Sequence, residues 1–284
     1  AIRNLRDYTQ RDAILYAGGH LQKPSSPSLT SIDHSDMEGF MEAIHGLRGP
    51  DLDLVLHSSG GSIEATETIG EYLRQKFTNI RVLVPHMAMS AATILACVAD
   101  EIVLAAHAQL GPIDPQFILQ TPFGVRTVAA QAITEQFQRA REACLTNPDE
   151  YPVWAEMLHQ YGPDLLVEAE NASALSLSVV EAWLSRFMLS KFPARSRRRK
   201  ARRIAAYLTD HSVHLTHARG VFRGELRNLE PDISVTALET DQQLQDLVLT
   251  VYHAAMHTFG NTRAGKIIEN HLGKSYVILT PTQE

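Results

Sequence analysis

Acyl-transfer chemistry needs a nucleophilic oxygen and, beside it, N–H donors aimed at the negative charge that develops during attack. Two stretches of this chain could supply them. His57-Ser58-Ser59-Gly60-Gly61-Ser62 closes an apolar strand on a glycine pair whose backbone N–H groups are free to turn towards an oxyanion. One helix and one strand later, Pro85-His86-Met87-Ala88-Met89-Ser90-Ala91-Ala92-Thr93 delivers Ser90 onto the first turn of a helix, where the positive end of the dipole favours a forming alkoxide. Ser90 is the candidate nucleophile, and the N–H of Ala91 joins Gly60 and Gly61 as a candidate oxyanion donor. By spacing alone Ser90 reads first as an ordinary N-cap and Gly60-Gly61 as a strand-ending turn.

The spacing from Gly60-Gly61 to Ser90, the stretch Ala99-Asp100-Glu101-Ile102-Val103 and the stretch Leu110-Gly111-Pro112-Ile113-Asp114-Pro115-Gln116 resemble the serine dehydrogenase proteinase family. That family is part of the Clp-protease and signal-peptide-peptidase superfamily on the crotonase-like fold. The resemblance is densest over residues 50–117 and returns at 214–225 and 239–273. It implies an α/β protein with a crotonase/Clp-protease-like ββα superhelix, no cofactor, a peptide or protein substrate, and a homo-oligomer. In relatives of this kind Ser90 falls on the catalytic serine and the glycine pair feeds the oxyanion hole. A proline usually precedes that pair, where this chain has Ser59.

The general base departs from the pattern. Signal-peptide-peptidase relatives use a lysine after the serine, yet no lysine occurs between Lys76 and Lys191. Clp-type relatives place a histidine in the loop where this chain has Gly111-Pro112-Ile113-Asp114, and His107 comes too early. His211, His214 and His217 instead fall in the stretch where Clp-type enzymes keep their acidic residue. The expected arrangement therefore sets His217 as the base for Ser90, with Asp114 accepting from its other ring nitrogen. The same histidines also fit an exposed turn near a helix end, and Lys191 and Lys266 stand as alternative bases.

These groups must be held by a scaffold. Short apolar runs alternate with amphipathic segments over residues 12–117, the pattern of βαβ units with parallel strands. Strands are expected over 13–17, 52–57, 81–85 and 101–105, rich in Val, Ile and Leu and so buried on both faces. Helices are expected over 36–47 and 63–77. Residues 128–190 read as helical, with turns at Asn147-Pro148-Asp149 and Tyr161-Gly162-Pro163, and 238–259 reads as one long amphipathic helix. The whole, residues 1–284, is expected to be one domain with a helical elaboration over about 128–210 and with C-terminal helices. The apolar faces of 241–259 and 267–272 are the expected oligomer surface.

Composition narrows the setting. A formal net charge of -6 argues against nucleic acid as the main partner. Two cysteines, Cys97 and Cys144, give neither a disulfide framework nor a metal-ligand pattern, so buried thiols, no metal and a cytoplasmic location are expected. Neither a membrane-length apolar run nor a leader is visible. Between Arg195 and Arg203 seven of nine residues are cationic, with Arg197, Arg198 and Arg199 at the centre. They are candidates for contact with an anionic partner or membrane surface, or simply a solvated helix start, and the run carries no aromatic residue for base stacking. Two further readings remain: an inactive scaffold or peptide-binding module that has lost its base, and an acyl-CoA enzyme that reuses the oxyanion hole.

Overall fold

The computed structural model describes residues 1–121, 124–159, 161–162 and 164–281; Pro163 of the expected turn lies outside the described residues. The first four strands fall where the apolar runs predict: β1 (Asp12–Gly18), β2 (Asp51–His57), β3 (Asn79–Val84) and β4 (Glu101–Leu104). Every residue of β1 is buried, and Leu52, Leu54, Val55 and Leu56 of β2 are fully so, which is why these strands read as continuous apolar runs. Helices α1 (Asp36–Ile44) and α2 (Ile63–Lys76) connect them. Ser62 caps α2 by accepting the Ala65 N–H, and Ala65, Ile69 and Leu73 face the core. A shorter helix, α3 (Ala91–Ala96), follows the two-residue strand Met87–Ala88, which pairs in parallel with Gln109–Leu110.

The expected helical stretch begins slightly later than predicted: after β4, β5 (Gln116–Thr121) and β6 (Gly124–Ala129) pair antiparallel, so residues 128 and 129 are strand, before α4 (Ala130–Thr146) and α5 (Leu165–Arg186). Alternation of exposed and half-buried side chains in β5 hides it from a search for buried runs. Helix α5 ties two cores together. Leu165 and Ala169 join a small apolar cluster with Ala130 and Ile133, while Val179, Val180, Trp183 and Leu184 enter the main core. Helix α6 (Ala194–Thr209) carries the basic run and buries Ala201, Ile204, Ala205 and Leu208.

The C-terminal part corrects two expectations. A single 3-10 turn (Leu238–Thr240) precedes α7 (Gln242–Asn261), which starts at Asp241, whose carboxylate accepts the Leu244 N–H. Beyond α7 the chain ends in strands, not helices: β8 (Ala264–Asn270) and β9 (Ser275–Leu279). With the short strand β7 (Val235–Ala237), they complete a seven-stranded sheet in the order β9-β8-β1-β2-β3-β4-β7. Strands β1 to β4 and β7 run parallel, and β8 and β9 add to the β1 edge as an antiparallel pair.

This arrangement buries much of the surface expected to make an oligomer. Leu244, Val248, Val251, Ala255 and Phe259 of α7 are buried within the chain, as are Ile267 and Ile268 of β8. Exposed large apolar side chains are found in the hairpin and the helices that follow it, at Ile118, Val125, Leu145, Tyr151, Val153 and Val167, and also at the C-terminal end, at Leu272, Val277 and Leu279. Cys97 is buried, with its thiol pushed up to about 12 by burial, whereas Cys144 is only partly covered. Among the described residues no helix is long and apolar enough to cross a membrane.

Candidate active site

Ser90 sits between Met87–Ala88 and α3 at φ 53 and ψ -123, a backbone conformation that a non-glycine residue adopts at a cost of about 1–3 kcal/mol. Its side chain makes no capping bond, so the N-cap reading does not account for it. The surroundings fix the elbow. The buried Thr93 hydroxyl donates to Ala88 O (2.7 Å) and accepts from the Gly111 N–H (2.9 Å), which pins the turn to the loop leading to Asp114. The Ala92 N–H also donates back to Met89 O at 2.9 Å.

The glycine loop is zipped against this elbow. The Ser58 N–H donates to Met87 O (3.1 Å) and the Met89 N–H to Ser58 O (3.0 Å), so Gly60 comes to lie against Ser90. Gly60 has φ +109, and a Cβ there would stand 2.7 Å from Ser90 Cβ and 3.1 Å from Ala91 N. Gly61 has φ +152, with a virtual Cβ 2.1 Å from Ile32 O. Both positions require glycine for close approach as well as for dihedral. The donor set differs in one member from expectation. The Gly60 N–H is already given to Ser58 Oγ (3.1 Å), whereas the N–H groups of Gly61 and Ala91 make no hydrogen bond among the described residues.

Behind this loop lies a buried network that the sequence reading did not anticipate. Ile32 clamps the glycines: its N–H donates to Gly60 O (2.8 Å), and its carbonyl accepts the Ser62 N–H (2.9 Å). The segment carrying Ile32 is anchored by Lys266. Its ammonium is fully buried and reaches Asp36 Oδ1 at 2.6 Å and Asp33 Oδ2 at 3.1 Å, while Tyr16 OH donates to Asp36 Oδ2 at 2.7 Å. Lys266 is thereby committed to an ion pair and does not line the cavity at Ser90. Lys191, the other alternative base, is exposed and stacks its ammonium 5.3 Å above the Phe192 ring.

Asp114 and His217, 103 residues apart in sequence, are brought together by an antiparallel bridge between Leu110 and Val221. The Leu110 N–H donates to Val221 O (3.0 Å) and the Val221 N–H to Leu110 O (2.9 Å). Asp114 is 1% exposed, and its Oδ1 accepts from His217 Nδ1 at 2.6 Å. A proton held on Nδ1 by a carboxylate leaves Nε2 of a neutral imidazole as the acceptor, the form a general base requires. His217 and Ser90 line the same cavity, of about 400 Å³, together with Gly60, Gly61, Ile94 and Phe117. No hydrogen bond joins Ser90 to His217 in the ligand-free chain. Such bonds are often long until a substrate seats.

The other expected residues separate from this group. His214 is buried elsewhere, its Nε2 2.8 Å from Tyr207 O. His211 also reaches Asp114, at Oδ2 and 2.9 Å, and Gln116 Nε2 donates to the same oxygen at 2.8 Å. Arg197, Arg198 and Arg199 lie on α6 outside the Ser90 cavity; Arg198 and Arg199 are exposed, and their neighbour Lys200 is paired with Glu230 and Asp232. Among the described residues no three His, Cys, Asp or Glu side chains converge on a metal position.

Residues 25–138 match the model of the ClpP-like SDH-type serine proteinases. Over those residues the chain is similar to this family. The matched segment holds Gly60, Gly61, Ser90, Ala91 and Asp114, while His211 and His217 lie beyond it. Two uncharacterized proteins of Methanocaldococcus jannaschii are similar to this chain. One is 37% identical over 91 residues, 32% of each chain, and the other is 40% identical over 65 residues, 23% of this chain and 22% of its own. The matches thus span a third or less of each relative's length.

Proposed function

We propose that this chain is a serine peptidase working through a Ser90 acyl-enzyme. The observation that carries the reading is the 2.6 Å bond from His217 Nδ1 to buried Asp114, on a ring that opens into the cavity of an uncapped, strained Ser90. His217 Nε2 takes the Ser90 hydroxyl proton as Oγ bonds to the scissile carbonyl carbon. The N–H groups of Gly61 and Ala91 hold the oxyanion, each such donor being worth roughly 10²–10³ in rate. The C–N bond then breaks, and the amine leaves with the proton from His217. Water enters, gives its proton to His217 and its oxygen to the acyl carbon, and collapse returns the proton to Ser90 as the acid departs.

On this reading residues 1–284 form one Clp/crotonase-like domain with a ββα superhelix, elaborated by helices over about 128–210. It acts on peptides or proteins as a homo-oligomer, joined through the apolar side chains exposed between Ile118 and Val167. The exposed arginines of α6 serve an anionic partner. The test is hydrolysis of fluorescein-labelled casein by the parent, Ser90→Ala and His217→Gln. Both variants are expected to lose at least about 10³-fold in rate while unfolding at the parental temperature. Hydrolysis at the parental rate by either variant would refute the assignment, and a folded but inert parent would favour the scaffold reading.

A further inference from the structure

We propose that His211 is a positioning residue for the catalytic pair, fixing the plane of the Asp114 carboxylate so that Oδ1 stays in line with His217. The inference rests on the serine-peptidase reading of the same site. Asp114 is unusual in carrying two imidazoles, each through Nδ1: His217 on Oδ1 at 2.6 Å and His211 on Oδ2 at 2.9 Å. The torsion that turns a carboxylate plane is broad and nearly two-fold, so a single partner on one oxygen does not fix it. Donors on both oxygens do. Gln116 Nε2 lies 2.8 Å from the same oxygen but is shared with the carbonyls of Asp114 (3.3 Å) and Pro115 (3.4 Å), so His211 supplies the undivided donor on Oδ2.

His211 is itself held on both sides of its α-carbon. Its N–H donates to Gln131 Oε1 (2.8 Å), and its carbonyl accepts the Leu215 N–H (2.7 Å). The short turn it begins, His211–His214, is capped by Asp210, whose Oδ1 accepts the Ser212 N–H at 2.9 Å. The ring does not line the Ser90 cavity, which separates its role from that of the base. A second cavity, of about 410 Å³, is lined by Asp114 itself with Gln131, Thr134, Glu170, Ser173 and Thr209. With the His211 ring removed, water from that cavity can take the place of Nδ1 at Oδ2 and turn the carboxylate.

The role needs only an N–H donor at the position of Nδ1. Asparagine at 211 keeps one; alanine and leucine do not. The experiment measures labelling by a rhodamine fluorophosphonate, separating the maximal labelling rate from the half-saturating probe concentration. His211→Ala and His211→Leu are expected to lower the maximal rate between about 10- and 100-fold with half-saturation unchanged, and His211→Asn to stay within about threefold of the parent. Parental rates in Ala and Leu, or an Asn variant as slow as Ala, would overturn the proposal. If Ala and Leu do not fold, Gln131→Ala, which frees the His211 backbone, must lower the rate or the proposal fails. His217→Gln, labelled alongside, separates the two ideas. Full labelling there refutes the peptidase reading itself, whereas loss of labelling there with parental rates in the 211 series refutes only this one.

Discussion

Replacing Gly60 by alanine puts a methyl group into the space between the glycine loop and Ser90. The new Cβ would stand 2.7 Å from Ser90 Cβ, 2.8 Å from Met89 O and 3.1 Å from Ala91 N, on a residue held at φ +109. The dihedral costs about 1–3 kcal/mol for a residue with a side chain. Crowding against backbone atoms that cannot rotate away adds about 1–3 kcal/mol. Gly124 supplies the control, because it has φ +110 and nothing within 4 Å of its virtual Cβ, so Gly124→Ala carries only the dihedral cost. At roughly 2–4 °C per kcal/mol, Gly60→Ala is expected to unfold several degrees below Gly124→Ala. Relief of the contact pushes Ser90 and the Ala91 N–H out of place, so fluorophosphonate labelling should fall about 10²-fold or more in Gly60→Ala and stay parental in Gly124→Ala. Parental labelling in a folded Gly60→Ala protein would refute the placement of Gly60 against the nucleophile.

Two further outcomes concern buried ionisable groups. Lys266→Met removes the partner of buried Asp36 and is expected to cost about 3–5 kcal/mol in urea unfolding, with Lys266→Met/Asp36→Leu recovering part of the loss; no recovery would count against the ion pair as the reason. His57, fully buried at the end of β2 with neither ring nitrogen hydrogen-bonded among the described residues, is pushed down to about 3, chiefly by burial and further by His20 and His86. The unfolded chain binds a proton near pH 6.5 that the folded chain refuses, so the stability His57 allows is complete above about pH 6.5 and is lost as pH falls towards 3, by about 2 kcal/mol at pH 5. His57→Leu should flatten that slope between pH 6.5 and 5, and an unchanged slope would rule His57 out as its source.

How much was legible in the sequence follows from what each signal depends on. Strands β1 to β4 announce themselves because a parallel strand covered on both faces must be apolar at nearly every position. The glycine pair was visible because positive φ and close backbone approach select glycine, whereas Ser90 stood out through its resemblance to a catalytic serine. Strand β8 was hidden: Lys266 and Asn270 break its apolar run, and their burial makes sense only with Asp36 and the Ala43 carbonyl beside them. The Gly60 N–H was counted as a donor although a serine two residues before can claim it in a local ST turn, as Ser58 Oγ does. His217 could be nominated from its neighbourhood, but its meeting with Asp114 depends on the Leu110–Val221 bridge, a tertiary contact without local signature. The second imidazole on Asp114 was invisible for the same reason.

The central claim is that His217, oriented by Asp114, activates Ser90. It is tested most directly by treating the folded chain with a fluorophosphonate and locating the adduct by peptide mass spectrometry. One adduct is expected, on Ser90, absent from both Ser90→Ala and His217→Gln when each unfolds at the parental temperature. An unlabelled parent, or His217→Gln labelled on Ser90 as fast as the parent, would contradict it.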